Sequence, residues 1–206
     1  MNQDFFNRPT LELCKRLLGA QLCHQTPKGT ITGNIVEVEA YCGPEDRAAH
    51  SYGGRRTKRT EVMFGPAGHA YLYIIYGIHI CLNIVSGPPG KPEAILIRAL
   101  EPTQGIETMI GNRKISVPRD TEGKWNINRL KQLTNGPGKL TKALDIPLSL
   151  YGHDLTRPPL DVRPLAEPLP EGGISSGPRI GIDNTGEARH YPWRFWIKGN
   201  RFVSKV

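Results

Sequence analysis

Residues Tyr71–Asn83 read YLYIIYGIHICLN, and this stretch predicts a β-hairpin. Tyrosine and isoleucine favour extended structure, and Gly77 supplies the positive φ that a tight turn requires. The turn then falls at Tyr76-Gly77. Tyr71 and Tyr73 could line a pocket. The alternative is that they pack into a core, which is the commoner fate of aromatic residues in strands. Tyr76 occupies the turn, where burial is least available, so a large exposed ring there needs a reason such as insertion into a stack of bases.

A second strand is predicted to end in the segment EVEAY at residues 37–41. Side chains alternate along a strand, so Glu37, Glu39 and Tyr41 share one face. His50 follows after a Gly-Pro turn, so a carboxylate, an imidazole and several tyrosines could share one pocket. In a basic protein this combination suggests chemistry on a nucleobase. Ordinary surface decoration is the alternative, because the sequence leaves open whether this face meets water or a cleft.

The charge of the chain favours a polyanionic partner. Its 206 residues include 27 Lys and Arg against 19 Asp and Glu, a formal net charge of +8. Charge alone is weak support, since many basic enzymes have no such partner. The loop Gly43–Gly68 carries a basic cluster that could be a solvated surface, but beside an aromatic wedge it is interpreted as phosphate-binding. The cluster consists of Arg55, Arg56, Lys58 and Arg59.

Length and spacing limit what else the chain can be. A chain of this size suits one domain, residues 1–206. The four cysteines form no CxxC and the six histidines no HxxxH, so neither a metal site nor a cofactor is predicted. The start of the chain lacks a basic segment followed by an apolar one, so no secretory signal is expected. The apolar run Ala70–Val85 is too short for a membrane helix and is interpreted as two buried strands.

Further elements are predicted from local patterns. Pro9 and Thr10 precede a short amphipathic helix that Gly19 closes, and antiparallel strands lie between Ala20 and Tyr41. A strand is expected at Ala94–Leu100, helices near Gln104–Gly111, Ile127–Leu133 and Lys139–Leu144, mostly loop at Pro147–Gly177, and closing strands at Arg179–Ile182 and Arg194–Ile197.

Taken together, these residues resemble the alkyladenine (3-methyladenine or methylpurine) DNA glycosylase family. The resemblance rests on IVEVEAY at 35–41, AAH at 48–50, MF at 63–64, GHAYLYIIYG at 68–77, LNI at 82–84, IRALEP at 97–102 and NGPGKL at 135–140, with RIGI at 179–182 and WRF at 193–195. It implies an α/β fold of the α+β type, a single domain with a curved antiparallel sheet, a protruding β-hairpin and peripheral helices.

The resemblance also implies roles for individual residues. Glu39 would be the general base that activates water, and Arg98 with the Ile180 carbonyl would help to hold that water. Base-pocket residues would be the walls Tyr41, His50 and Tyr73 and the purine-screening Asn83. DNA contacts would come from the wedge Tyr76 and from Arg55, Thr57, Met63, Gly77 and Ile78.

Three positions depart from the family pattern, two of them in the basic loop. Many relatives have Pro and Asn where this chain has Lys58 and Thr60, and Ile78 replaces a frequent Met after the hairpin glycine. These differences concern details of DNA contact rather than the chemistry.

The function implied is a DNA repair glycosylase that flips alkylated or deaminated purines out of duplex DNA and hydrolyses the N-glycosidic bond. Because no lysine stands in a recognisable Schiff-base motif, the enzyme is expected to leave an abasic site without strand cleavage. It would act as a monomer on double-stranded DNA containing damaged purines, without a cofactor or membrane, in the cytoplasm and at the nucleoid when bound. Two alternatives are a non-catalytic sensor of distorted duplex and a hydrolase of free nucleosides, for which an exposed Tyr76 would have no purpose.

Overall fold

The computed structural model describes residues 3–165, 169–170 and 172–205. Within these residues, eight strands form one open, curved antiparallel sheet, and helices lie at its periphery. The strands are β1 (Gln21–Thr26), β2 (Gly29–Cys42), β3 (Ala70–Ile75), β4 (His79–Ser86), β5 (Glu93–Gln104), β6 (Leu160–Arg163), β7 (Ile174–Gly177) and β8 (Arg194–Ile197). The α-helices are α1 (Gln3–Phe6), α2 (Thr10–Leu17), α3 (Ile106–Arg113), α4 (Ile127–Leu130) and α5 (Pro137–Ala143). The α+β class predicted from the sequence is confirmed.

The long strand β2 organises the sheet. Its one edge pairs with β5, and its other edge pairs first with β1 and then, at Glu37–Glu39, with β8. The complete order is β3-β4-β5-β2-β1-β6, with β8 joining β2 and β7 joining β8. The β2–β5 register shifts on both sides of Glu37, and such irregularities bend a strand locally. Glu37 and Glu39 therefore lie in the interior of the sheet, with neighbouring strands on both sides.

The two faces of β2 differ as the alternation predicts. Val36, Val38 and Ala40 are completely buried in the hydrophobic core, to which α2 contributes Leu13 and Leu17. Burying a valine or leucine side chain contributes about 1.5–3 kcal/mol. The apolar face thus anchors β2 in the core and directs the carboxylates to the other side.

The hairpin of β3 and β4 has the predicted turn. Tyr76 and Gly77 have φ values of 53° and 73°, so both turn residues adopt the left-handed conformation. Tyr76 is 86% exposed and Ile78 77% exposed. The hairpin tip therefore presents large apolar side chains to solvent.

The predicted closing strand Arg179–Ile182 is wrong. These residues are irregular, and β7 at Ile174–Gly177 pairs with β8 instead. Two features account for the difference: the Ile180 N–H donates to the Glu39 side chain rather than to a strand, and Gly181 has a φ of 76°. The predicted loop Pro147–Gly177 also contains the short strands β6 and β7.

The other local predictions agree with the structure within a few residues. The third predicted strand extends over all of β5, and α5 begins at Pro137, two residues before its predicted start at Lys139. In the part of the chain described here, none of the helices has the length and apolar character needed to span a membrane.

Candidate active site

A cavity of about 500 Å³ lies beside the polar face of β2. The cavity is lined by the end of β2, the loop after it, the β3–β4 hairpin, β5, the start of α5 and the segment that follows β7. The cavity brings together most of the residues singled out from the sequence, namely Tyr41, His50, Met63, Tyr73, Tyr76, Asn83, Arg98 and Ile180. Glu39 is completely buried directly behind three of them.

Glu39 is held by groups that line this cavity. The Tyr41 hydroxyl donates to its Oε2 at 2.9 Å, and the Ile180 N–H donates to its Oε1 at 2.7 Å. The Arg98 Nη1 atom lies 3.4 Å from the same Oε1. Burial raises the pKa of Glu39 above its ordinary value, while Arg98, the Ile180 N–H and the Tyr41 hydroxyl act in the opposite direction. The carboxyl group is therefore a stronger base than an exposed glutamate.

Glu37, the other carboxylate of β2, has different surroundings. It accepts hydrogen bonds from Arg98 Nε at 3.2 Å, Arg194 Nη1 at 3.1 Å, Ser204 N at 2.6 Å and Ser204 Oγ at 2.9 Å. Although burial disfavours its charge, Glu39 and Glu37 hold the pKa of Arg98 above its ordinary value. Glu37 thus fixes the cation that stands beside Glu39. Neither Arg194 nor Ser204 was identified from the sequence.

Aromatic rings form part of the cavity wall. The His50 and Tyr73 rings meet edge to face, with centroids 4.7 Å apart, and Tyr71 lies 5.4 Å from Tyr73. Burial raises the pKa of Tyr71 to about 12 and the pKa of Tyr73 still further. Burial and the Glu39 charge likewise raise the pKa of Tyr41. All three phenols stay neutral near pH 7 and offer intact aromatic faces.

The ring of His50 is neutral in this arrangement. Desolvation, followed by the charges of Arg59 and Arg55, lowers the pKa of His50 to about 4. Its Nε2 lies 3.1 Å from Arg59 Nη2, and its Nδ1 lies 2.8 Å from the Tyr71 hydroxyl. A guanidinium only donates, so Nε2 is the acceptor and Nδ1 carries the proton.

A buried ion pair that the sequence analysis did not find supports the site. Arg179 and Asp46 are 5% and 1% exposed, and Arg179 Nη2 donates to Asp46 Oδ1 at 2.8 Å. The Arg179 guanidinium also lies 4.7 Å from the centroid of the Tyr41 ring, and its Nη1 donates to the Ala40 carbonyl at 2.8 Å. Asp46 additionally accepts the Ala48 N–H at 3.0 Å. The pair therefore ties together the end of β2, the loop that carries His50 and the segment that carries Ile180.

The remaining residues implied by the resemblance lie around the opening or below it. Asn83 is buried, and its Nδ2 donates to the Tyr71 carbonyl at 3.1 Å. Met63 is also buried and lines the cavity, whereas Arg55 is exposed. The Thr57 N–H donates to Thr60 Oγ1 at 2.9 Å, which fixes the basic loop.

The buried carboxylate of Glu39 lies behind a cavity whose walls include the neutral rings of Tyr41, His50, Tyr71 and Tyr73, called the aromatic slot below. Such an arrangement is typical of an enzyme site that binds a flat ring. The family model for methylpurine-DNA glycosylase matches residues 4–201. A Bacillus licheniformis protein that bears the name "Putative 3-methyladenine DNA glycosylase" is 55% identical over 98% of this chain and 95% of its own length. Proteins of the same name from Bacillus velezensis and Oceanobacillus iheyensis are 50% and 47% identical over 98% of this chain and 95% and 94% of their own lengths. The chain belongs to the methylpurine-DNA glycosylase family, whose members are DNA glycosylases that act on alkylated purines. The resemblance inferred from the motifs is thereby confirmed.

Proposed function

We propose that this protein flips a single alkylated or deaminated purine nucleotide out of duplex DNA and hydrolyses its N-glycosidic bond. The observation that carries the proposal is the position of Glu39. Its carboxylate accepts hydrogen bonds from Tyr41 and Ile180 directly behind a cavity of about 500 Å³. A purine that enters the aromatic slot would bring its sugar toward this carboxylate.

Flipping is needed because the glycosidic carbon is shielded inside a duplex. Extrusion costs a few kcal/mol in stacking and pairing, and it costs least for a damaged base. Tyr76 is exposed at the hairpin tip and can fill the gap that the extruded nucleotide leaves. A Cβ placed on Gly77 would meet no other atom within 4 Å, so the backbone beside the wedge is open to DNA.

The aromatic slot favours a cationic base. An N-alkylated purine carries positive charge, and a desolvated cation gains about 2 kcal/mol against an aromatic face. The raised pKa values of Tyr41 and Tyr73 keep these phenols neutral and their hydroxyl protons in place. The same positive charge makes the alkylated base a good leaving group.

Glu39 takes the role of general base. In its ionised form it accepts a proton from the attacking water and stabilises the positive charge that develops on the sugar, as carboxylates do in glycoside hydrolysis. Arg98 supports the ionised form from 3.4 Å away. The Ile180 N–H is bound to Oε1, and we propose that the carbonyl of the same residue helps to orient the water.

Deaminated purines such as hypoxanthine are neutral and need a proton in order to leave. His50 and solvent are the two candidate donors. The pKa of His50, lowered to about 4, argues for solvent, because the ring carries no extra proton near neutral pH.

Rejection of normal purines would depend on Asn83. Its Nδ2 is already bound to the Tyr71 carbonyl, so the side chain cannot rotate freely to suit a new partner. The amino group of guanine would meet this fixed side chain unfavourably, and buried polar groups left unpaired cost about 1–3 kcal/mol.

The product would be an abasic site in an uncut strand. Strand cleavage by a glycosylase requires an amine nucleophile, and the described residues that line the cavity include no lysine. We expect the enzyme to act as a monomer on double-stranded DNA in the cytoplasm.

Single-turnover release of 7-methylguanine and hypoxanthine from duplex DNA tests the proposal. We expect both bases to be released, with affinity for the duplex that falls steeply as salt rises. Release from free nucleosides but not from duplex would support the nucleoside hydrolase. Lesion binding without release would support a non-catalytic damage sensor.

A further inference from the structure

One cation already stands in the aromatic slot. The Arg59 guanidinium lies 4.6 Å from the centroid of the Tyr73 ring, and its Nη2 donates to His50 Nε2 at 3.1 Å. Arg59 is also among the residues that line the cavity. It therefore occupies the space beside Tyr73 and His50 into which the proposed function places the incoming purine.

The backbone of Arg59 is fixed by its surroundings, but its side chain can move out of the slot. The loop is fixed next to it, since Thr60 is buried and bonded to Thr57. The side chain itself is exposed, and among the described residues no carboxylate lies within ion-pair distance of it. Arg56 on the same loop differs, because its Nη2 lies 2.6 Å from Glu61 Oε1.

We propose that Arg59 occupies the base slot of the free enzyme and leaves it when a nucleotide flips in. The released guanidinium then reaches a phosphate of the DNA backbone, so that entry of the base and grip on the strand are coupled through one residue. This inference rests on the proposed function, because it takes the slot to be the base site. A planar cation on Tyr73 imitates the stacking of an alkylated purine, and the two cannot share the position.

Competition for the slot has a measurable consequence. The observed affinity of a ligand is its intrinsic affinity multiplied by the fraction of enzyme whose slot is open. A contact of this exposed kind corresponds to a factor on the order of two to five, so Arg59→Ala should bind 7-methylguanosine tighter by about that factor. The factor should be the same for the neutral nucleoside inosine, because emptying the slot helps every ligand equally.

On duplex DNA the same substitution should act in the opposite direction. Loss of one phosphate contact weakens binding and reduces the slope of log affinity against log salt by about 0.9. Arg59→Lys separates the two effects: it keeps the charge for the phosphate but stacks less well on Tyr73. We expect it to bind nucleosides more tightly than the parent does while retaining the duplex salt slope.

The test compares the parent enzyme with Arg59→Ala, Arg59→Lys and the control Lys58→Ala, which removes an exposed charge from the same loop. Nucleoside dissociation constants are measured by titration with 7-methylguanosine and with inosine, and duplex affinities are measured across a salt series. Lys58→Ala should leave nucleoside affinity unchanged. Base release by the parent enzyme is measured in parallel, so that failure of the proposed function is seen separately.

Equal nucleoside affinity of the parent and Arg59→Ala, including no measurable binding by either, would overturn the inference. Weaker binding by Arg59→Ala would also overturn it, because Arg59 would then be a wall of the pocket. A gain confined to the cationic nucleoside would do the same, since it would mean that Arg59 repels charge from outside the slot.

Discussion

Glu37 and Glu39 lie two residues apart on β2 and share the guanidinium of Arg98, which is 3.2 Å from the first carboxylate and 3.4 Å from the second. A carboxylate offers about four acceptor positions. Glu37 accepts four hydrogen bonds from protein groups, whereas Glu39 accepts two and keeps capacity for a water molecule. Glu37 is therefore fully occupied by protein partners, whereas the free acceptor positions of Glu39 fit its proposed role as general base.

Glu37→Gln should reduce stability far more than catalysis. The substitution leaves Arg98 and Arg194 with less compensation in a buried site, and breaking such pairs costs about 3–5 kcal/mol. Urea unfolding measures the loss of stability, and single-turnover base release at low temperature measures the activity of the folded fraction. A stable Glu37→Gln protein without activity would reverse the assignment of the two carboxylates.

Tyr41→Phe should move the acid limb of the pH–rate profile. The Tyr41 hydroxyl is one of the groups that lower the pKa of Glu39 against the effect of burial, so its removal raises that pKa further. Activity requires the ionised carboxylate, is present above this pKa and is lost as the pH falls through it. The limb should therefore shift to higher pH, and a shift to lower pH or no shift would count against Glu39 as the titrating base.

Asp46→Asn should destabilise the protein by about 3–5 kcal/mol, because it leaves the buried charge of Arg179 without its partner. Replacing both residues, with Asp46→Leu and Arg179→Met, should recover part of this stability. Base release should stay low in the double variant, since Tyr41 and the Ile180 N–H lose their support. Thermal unfolding and single-turnover release separate the two effects. Full activity in the stable double variant would show that the pair serves folding alone.

Tyr76→Ser should weaken binding to lesion-containing duplex and slow base release without lowering stability, because the side chain is 86% exposed. Tyr76→Phe is the matched control, since it keeps the ring that fills the gap and loses only the hydroxyl. Duplex affinity and fluorescence of a base analogue opposite the lesion report on binding and flipping. Unchanged lesion binding by Tyr76→Ser would remove Tyr76 from the wedge role.

The parts of the fold that were predictable depend on local patterns. The alternation along β2 placed Glu37 and Glu39 on one face, and the glycine at position 77 located the hairpin turn. Both follow from backbone geometry within a few residues, which the sequence displays directly.

The parts that were not predictable depend on contacts between distant residues. Ile180 and Glu39 are 141 positions apart, and their hydrogen bond is what replaces the strand expected at Arg179–Ile182. Arg179 and Asp46 are 133 positions apart, and nothing in the spacing of either residue indicates a partner. The resemblance to a family supplied the list of site residues, but the support behind Tyr41 and Glu39 came only from the structure.

The most direct test is single-turnover release of 7-methylguanine from duplex DNA by the parent enzyme and by Glu39→Gln. The amide keeps the size of the side chain but cannot take a proton from water. The account predicts that Glu39→Gln binds the lesion duplex as the parent does and has almost no base release. Equal release rates for the two proteins would contradict it.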